Sequence, residues 1–250
     1  MGTSSSSKGP RASTPLVPPW AANAEPVPPA EPARLRPFRT ALGQFVSNGT
    51  PQSLNHALSA YATGATGGGT QAGRRMGASV AAGGALWGGL QELRTGGTGQ
   101  AATGANLSGC LGKPVDQAIE SLVEALLPTN PDADKTRESL TAALSECLEG
   151  IQVFDVSILN DDFMAALMLT FMTHTIFAQV MSDSGKAFQK AASADVSVRA
   201  ERALFAEIKS TVDRIMESKI GDSGAAITGE MMRDIQRETI EEVWAEWRSR

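Results

Sequence analysis

The chain has 250 residues, of which 42% are apolar and 5% aromatic, and its formal net charge is −5. This length accommodates one or two domains with a hydrophobic core. The charge is uneven, because residues 1–112 carry 8 basic and 3 acidic side chains, whereas residues 113–250 carry 14 and 24. An acidic body without a concentrated basic face argues against direct binding of nucleic acid.

Two cysteines, Cys110 and Cys147, set no disulfide framework, which is typical of a protein in a reducing compartment. No apolar segment of the secretory type follows Met1. We therefore expect a cytoplasmic protein.

Residues 1–37 contain nine of the thirteen prolines. Proline removes backbone donors and restricts the residue before it, so these residues predict a disordered, Pro/Ser-rich N-terminal tail. Within this tail, prolines flank a short apolar group that a simple linker would not need: Leu16, Val17 and Trp20.

Residues 38–112 form a second segment, a Gly/Ala-rich helical region with flexible loops. Apolar spacing predicts helices over residues 38–48, 53–62 and 71–94. Each glycine inside the third helix weakens it by about 1 kcal/mol relative to alanine. That helix should therefore form only where another helix packs closely against its smooth face.

Residues 113–250 form the third segment, an acidic α-helical bundle domain. Helical spacing of apolar residues recurs over residues 115–126, 134–148, 161–181, 198–219 and 228–248. Alternation of the β type is missing from the chain. The sequence predicts an all-α protein.

One apolar stretch raises the question of a membrane. Residues 163–181 carry no formal charge over nineteen positions, which is long enough to span a bilayer. Acidic residues flank the stretch without a basic cluster, and Thr, His and Gln interrupt it. We interpret it as the central helix of a bundle and expect no membrane contact.

The sequence offers no residue set for catalysis. It contains no GxSxG, Walker loop, HExxH or CxxC pattern, and its two histidines and two cysteines are scattered. We therefore predict no catalytic residues, metal site or cofactor.

Arg74 and Arg75 are a candidate anion contact, although two adjacent arginines on a helix usually form a solvated face. Trp244 and Trp247 either cover the end of the bundle or form a partner-docking patch.

The first residues match the M-G-x-x-x-[S/T] pattern of N-myristoylation, a short pattern with many false matches. A more general implication of the pattern is that a small residue at position 2 allows Met1 to be removed, which exposes the α-amine of Gly2. That amine has a pKa near ~7.7–8.0, so it has an appreciable neutral, nucleophilic fraction.

Three features together resemble the QatB family of the bacterial Qat anti-phage defence system. They are the opening Met-Gly-Thr-Ser-Ser-Ser-Ser-Lys-Gly-Pro with the later Thr-Pro-Leu-Val-Pro-Pro-Trp, the Gly-Arg-Arg-Met-Gly-Ala-Ser segment at 73–79, and the acidic helical half from Gly112 onward. The system pairs such a protein with an ATPase (QatA), a QueC-like enzyme (QatC) and a TatD-like nuclease (QatD).

The resemblance implies a non-catalytic component of a defence complex. Enzymes of the QueC type activate a carboxy-deazaguanine with ATP and pass it to a nitrogen nucleophile, which implies Gly2 as the acceptor. The residues entering the enzyme would be Thr3, Ser4, Ser5 and Ser6, with Leu16, Val17 and Trp20 as a docking anchor. Two alternatives stay open: an adaptor that binds the QueC-like enzyme or the ATPase without being modified, and an N-myristoylated membrane-associated scaffold.

Overall fold

A computed structural model describes residues 15–18, 31, 33–127, 129–222 and 227–250. The all-α prediction is confirmed: the described residues contain helices and one isolated antiparallel bridge between Pro114 and Val153, but no strand. The helices are α1 (Arg36–Asn48), α2 (Pro51–Ala60), α3 (Gly69–Arg75), α4 (Gly77–Arg94), α5 (Gln100–Thr103), α6 (Val115–Leu126), α7 (Ala133–Cys147), α8 (Asp161–Ser184), α9 (Ala194–Asp222) and α10 (Gly229–Ser249).

The predicted disordered tail lies mostly outside the described residues. Of its 37 positions, residues 15–18, 31 and 33–37 are described, and Arg36 and Pro37 already belong to α1. Pro37 is tolerated there because the first helical turn needs no donor from its backbone.

The chain divides into two compact units. Unit 1 comprises Met1–Met76, Ile176–Thr211 and Thr239–Arg250, and unit 2 comprises Gly77–Thr175 and Val212–Glu238. Helices α8, α9 and α10, with 24, 29 and 21 residues, each contribute residues to both units. The predicted boundaries at residues 37 and 112 stay predictions.

Unit 1 begins with two helices that have clear end signals. Gly49 ends α1 with φ +67°, and its N–H donates to the carbonyl of Phe45 at 2.7 Å. The hydroxyl of Thr50 then caps α2 by accepting from the backbone N–H of Ser53. A π-helical turn, Tyr61–Ala65, follows α2 and leads into α3.

An aromatic cluster fills the core of unit 1. Ring centroids are 4.5 Å apart for Phe38 and Tyr61, 5.7 Å for Tyr61 and Trp244, and 5.0 Å for Trp244 and Trp247. All four side chains are fully buried. The two tryptophans are therefore core residues of this chain, which agrees with their interpretation as a bundle cover.

In unit 2, α4 packs closely on the start of α10. A Cβ atom on Gly84 would lie 2.5 Å from the carbonyl oxygen of Gly229, and the indole N–H of Trp87 donates to the carbonyl of Ile227 at 2.7 Å. The glycines of α4 permit this approach, as the sequence predicted. Helices α6 and α7 pack on each other and on α4 in the same unit.

Helix α8 contains the apolar stretch. Within the described residues it is the one helix long and apolar enough to cross a membrane, and 61% of its most apolar window is buried. Such burial is typical of the core helix of a soluble protein.

Candidate functional site

The N-terminal segment Pro15–Pro18 is held against unit 1 by a buried arginine. The side chain of Arg34 donates from Nη2 to the carbonyl of Pro15 at 3.2 Å and from Nε to the carbonyl of Ala65 at 3.0 Å. Ala65 ends the π-helical turn. A single guanidinium therefore joins the N-terminal segment to the turn before α3.

Two apolar side chains of the segment are buried in the same unit. Leu16 is 6% exposed and Val17 is 3% exposed. Gly67, at φ +75°, lies beneath Leu16, and a Cβ atom there would come within 3.1 Å of the Leu16 Cδ1 atom. We refer to Pro15–Pro18 and its contacts with Arg34 and Gly67 as the N-terminal anchor.

The structure thus places Leu16 and Val17, predicted as a docking anchor for a partner, against this chain's own core. Gly2, Trp20 and the segment Thr3–Ser6 lie outside the described residues. Their predicted roles stay predictions.

Beside the anchor, Asp183 of α8 is the centre of a buried hydrogen-bond network. Arg75 binds its carboxylate with two bonds, from Nη1 at 2.9 Å and from Nη2 at 3.1 Å. The hydroxyl of Tyr61 donates to Oδ2 at 2.8 Å, and the amide of Gln179 donates at 3.1 Å. Arg39 donates to the Asp183 backbone carbonyl at 2.8 Å. Four elements of unit 1 therefore meet at one residue.

Burial and neighbouring charges shift two proton equilibria around this network. Burial, followed by the negative charge of Asp183, raises the pKa of Tyr61 well above its usual range. Burial, followed by the positive charge of Arg75, lowers the pKa of Arg34. Tyr61 therefore acts as a neutral donor to Asp183 at physiological pH.

The candidate anion contact at Arg74 and Arg75 has an internal partner. Arg75 is 8% exposed, and the anion that it binds in the structure is Asp183, which is fully buried. Arg74 is half-buried. Contact of this pair with an outside anion stays a prediction.

Unit 2 contains a separate pocket of about 640 Å³ between α4 and the start of α10. Its lining includes the small residues Gly84, Gly88 and Gly229 together with Arg94 and Arg233. Arg94 also forms an ion pair with Asp161. The pocket lacks a recognisable arrangement of nucleophile and base.

No group of three His, Cys, Asp or Glu side chains in the described part of the chain could hold a metal ion. His174 pairs with Glu146 at 3.2 Å. Burial raises the pKa of the Cys110 thiol, which disfavours the nucleophilic thiolate.

Sequence reasoning overlooked Asp183, Gln179 and Tyr61. The available signal was the spacing of Gln179 and Asp183, which are four residues apart at the end of an apolar helix and therefore share one face. A carboxylate on such a face needs a buried donor. Nothing local could identify Arg75 as that donor, since 108 residues separate the pair.

The comparisons with known proteins agree with the resemblance. A family model described as "Qat anti-phage system associated protein QatB" matches residues 67–246. No curated protein and no solved structure matches the chain. Since the match covers more than half of the chain, the chain belongs to the QatB family and is a component of the Qat anti-phage system.

Proposed function

We propose that the chain is a protein substrate within the defence system, and that the α-amine of Gly2 accepts a deazaguanine from the QueC-like enzyme QatC. The ATPase QatA and the nuclease QatD are further candidate partners in the cytoplasm. Membership of the QatB family supports this proposal. The N-terminal anchor supports it as well, because it attaches the segment that follows Gly2 to a folded body.

The chemistry requires only one group from this chain. After removal of Met1, the neutral α-amine of Gly2 attacks the activated carboxyl carbon of the deazaguanine. An amide bond forms, the activating group leaves, and the amine releases a proton to solvent. Gly2 suits the step because it has no side chain beside the nucleophile. Thr3, Ser4, Ser5 and Ser6 are the segment that enters the enzyme.

The test is the mass of the N-terminal peptide from the full chain produced together with QatC and a source of the deazaguanine precursor. Trypsin releases Gly2–Lys8, which carries two amines, the α-amine and the side chain of Lys8. Modification at Gly2 leaves cleavage after Lys8 intact, whereas modification of Lys8 blocks it. Lys8→Arg is the matched control and should retain the added mass.

The outcomes separate the alternatives. An unmodified Gly2–Lys8 peptide, with active QatC present, would refute the acceptor role. Co-purification without a mass change would support an adaptor, and the mass of a fatty acyl chain would support a myristoylated scaffold. In a phage-protection assay, Gly2→Pro should abolish defence while leaving the circular dichroism of the helices unchanged.

A further inference from the structure

We propose that Pro15–Pro18 is an internal anchor, so that Leu16 and Val17 stay with unit 1 while the modifying enzyme handles only the residues before Pro15. This inference rests on the proposed function solely for the identity of the acceptor, Gly2. It assigns Leu16 and Val17 to the chain's own fold and leaves Trp20 as the candidate docking residue.

Three observations support the inference. The carbonyl of Pro15 accepts from Arg34, both apolar side chains are nearly removed from water, and Leu16 packs on Gly67. Residues 15–18 have no regular secondary structure that could hold them in place. Burial of two aliphatic side chains is therefore the main favourable term that fixes the segment.

The anchor sets how far Gly2 can travel. Twelve residues lie between Gly2 and Pro15, and the thirteen Cα-to-Cα steps of a fully extended chain span at most about 47 Å. An enzyme that modifies Gly2 with the anchor in place must therefore bring its active site within that distance. The anchor also raises the effective concentration of the amine for an enzyme bound nearby.

Trypsin cleavage after Arg34 tests the anchor without using the modification. Arg34 is 4% exposed, and its guanidinium holds Pro15. The double variant Leu16→Ser with Val17→Ser should raise the rate of this cleavage at least about tenfold, because local opening becomes more frequent. Val198→Ser is the control, since Val198 belongs to the same unit but is 38% exposed.

A glycine pair gives a second, milder test. Gly67→Ala places a Cβ atom against Leu16 and should also accelerate cleavage after Arg34. Gly49→Ala introduces similar backbone strain, at φ +67°, where nothing lies within 4 Å, and should leave the cleavage rate unchanged. Equal rates in the wild type, the double variant and Gly67→Ala would overturn the anchor.

The modification assay then separates the two proposals. If wild-type Gly2 is modified, the double variant should reach the same final extent of modification, since its amine and residues 2–14 are intact. Loss of modification with unchanged protection of Arg34 would show that the enzyme recognises Leu16 and Val17, which would overturn the inference. Absence of modification in the wild type would refute only the proposed function, because the trypsin result does not depend on it.

Discussion

Replacing Asp183 by asparagine removes the charge at the centre of the buried network while nearly preserving the size of the side chain. Asp183 is fully buried, and Arg75 is 8% exposed. After the substitution, the guanidinium of Arg75 loses its carboxylate and keeps its burial. The asparagine side-chain oxygen can still accept a hydrogen bond from Tyr61, so the substitution mainly removes the ion pair with Arg75.

The expected cost is about 3–5 kcal/mol in the free energy of unfolding, which is the range for breaking a buried ion pair by removing one partner. The cost arises mainly because the buried guanidinium of Arg75 loses the carboxylate that it binds through two hydrogen bonds. Adding Arg75→Met removes that charge too, so the double variant should be less destabilised than Asp183→Asn alone.

Urea unfolding followed by circular dichroism measures these free energies. Asp234→Asn is the matched control: Asp234 also pairs with an arginine, Arg237 at 3.0 Å, but both side chains are more than half exposed. Its loss should cost below about 1 kcal/mol. If Asp183→Asn and Asp234→Asn destabilise the protein equally, the network is not a buried ion pair in solution and the reasoning is wrong.

Two further predictions concern Tyr61 and the glycines. Tyr61 is the single tyrosine, so tyrosinate absorbance reports its titration directly. The pKa of Tyr61 in the folded protein lies above the ~10 of an unfolded chain. The contribution of Tyr61 to the free energy of unfolding is therefore fully present below pH ~10 and is lost as the pH rises through the folded pKa. We expect tyrosinate to appear only with alkaline unfolding; a normal titration of the folded protein would contradict this. Gly84→Ala should lower the urea midpoint, because the new Cβ meets the carbonyl of Gly229, whereas Gly73→Ala, with nothing within 4 Å, should raise stability by about 0.5–1 kcal/mol. Equal effects at the two positions would refute the close-packing role of Gly84.

The helices could be predicted because their signals are local. The stop at Gly49 and the apolar spacing of α6 to α10 depend on neighbours within a few turns of one helix. The predicted helix over residues 71–94 is in fact two helices, α3 and α4, interrupted at Met76. Arg75 ends the first of them and binds Asp183, a long-range contact that no local pattern describes.

Long-range contacts also prevent prediction of the candidate site from local sequence patterns. The sequence predicts Leu16 and Val17 as a docking anchor for a partner, and the structure shows both side chains buried in unit 1. A local sequence pattern does not tell an exposed apolar residue from a buried one. The position of this segment depends on contacts with Arg34 and Gly67, which lie far from it in the sequence.

Unit 1 is assembled from both ends of the sequence, which affects when it can form during protein synthesis. The indole of Trp244 donates to the hydroxyl of Thr66 at 2.7 Å, next to the glycine that supports Leu16. Trp244 lies 178 residues after Thr66, so this hydrogen bond can form only once α10 has been synthesised. Unit 1 is therefore completed by a contact that the first helices cannot make on their own.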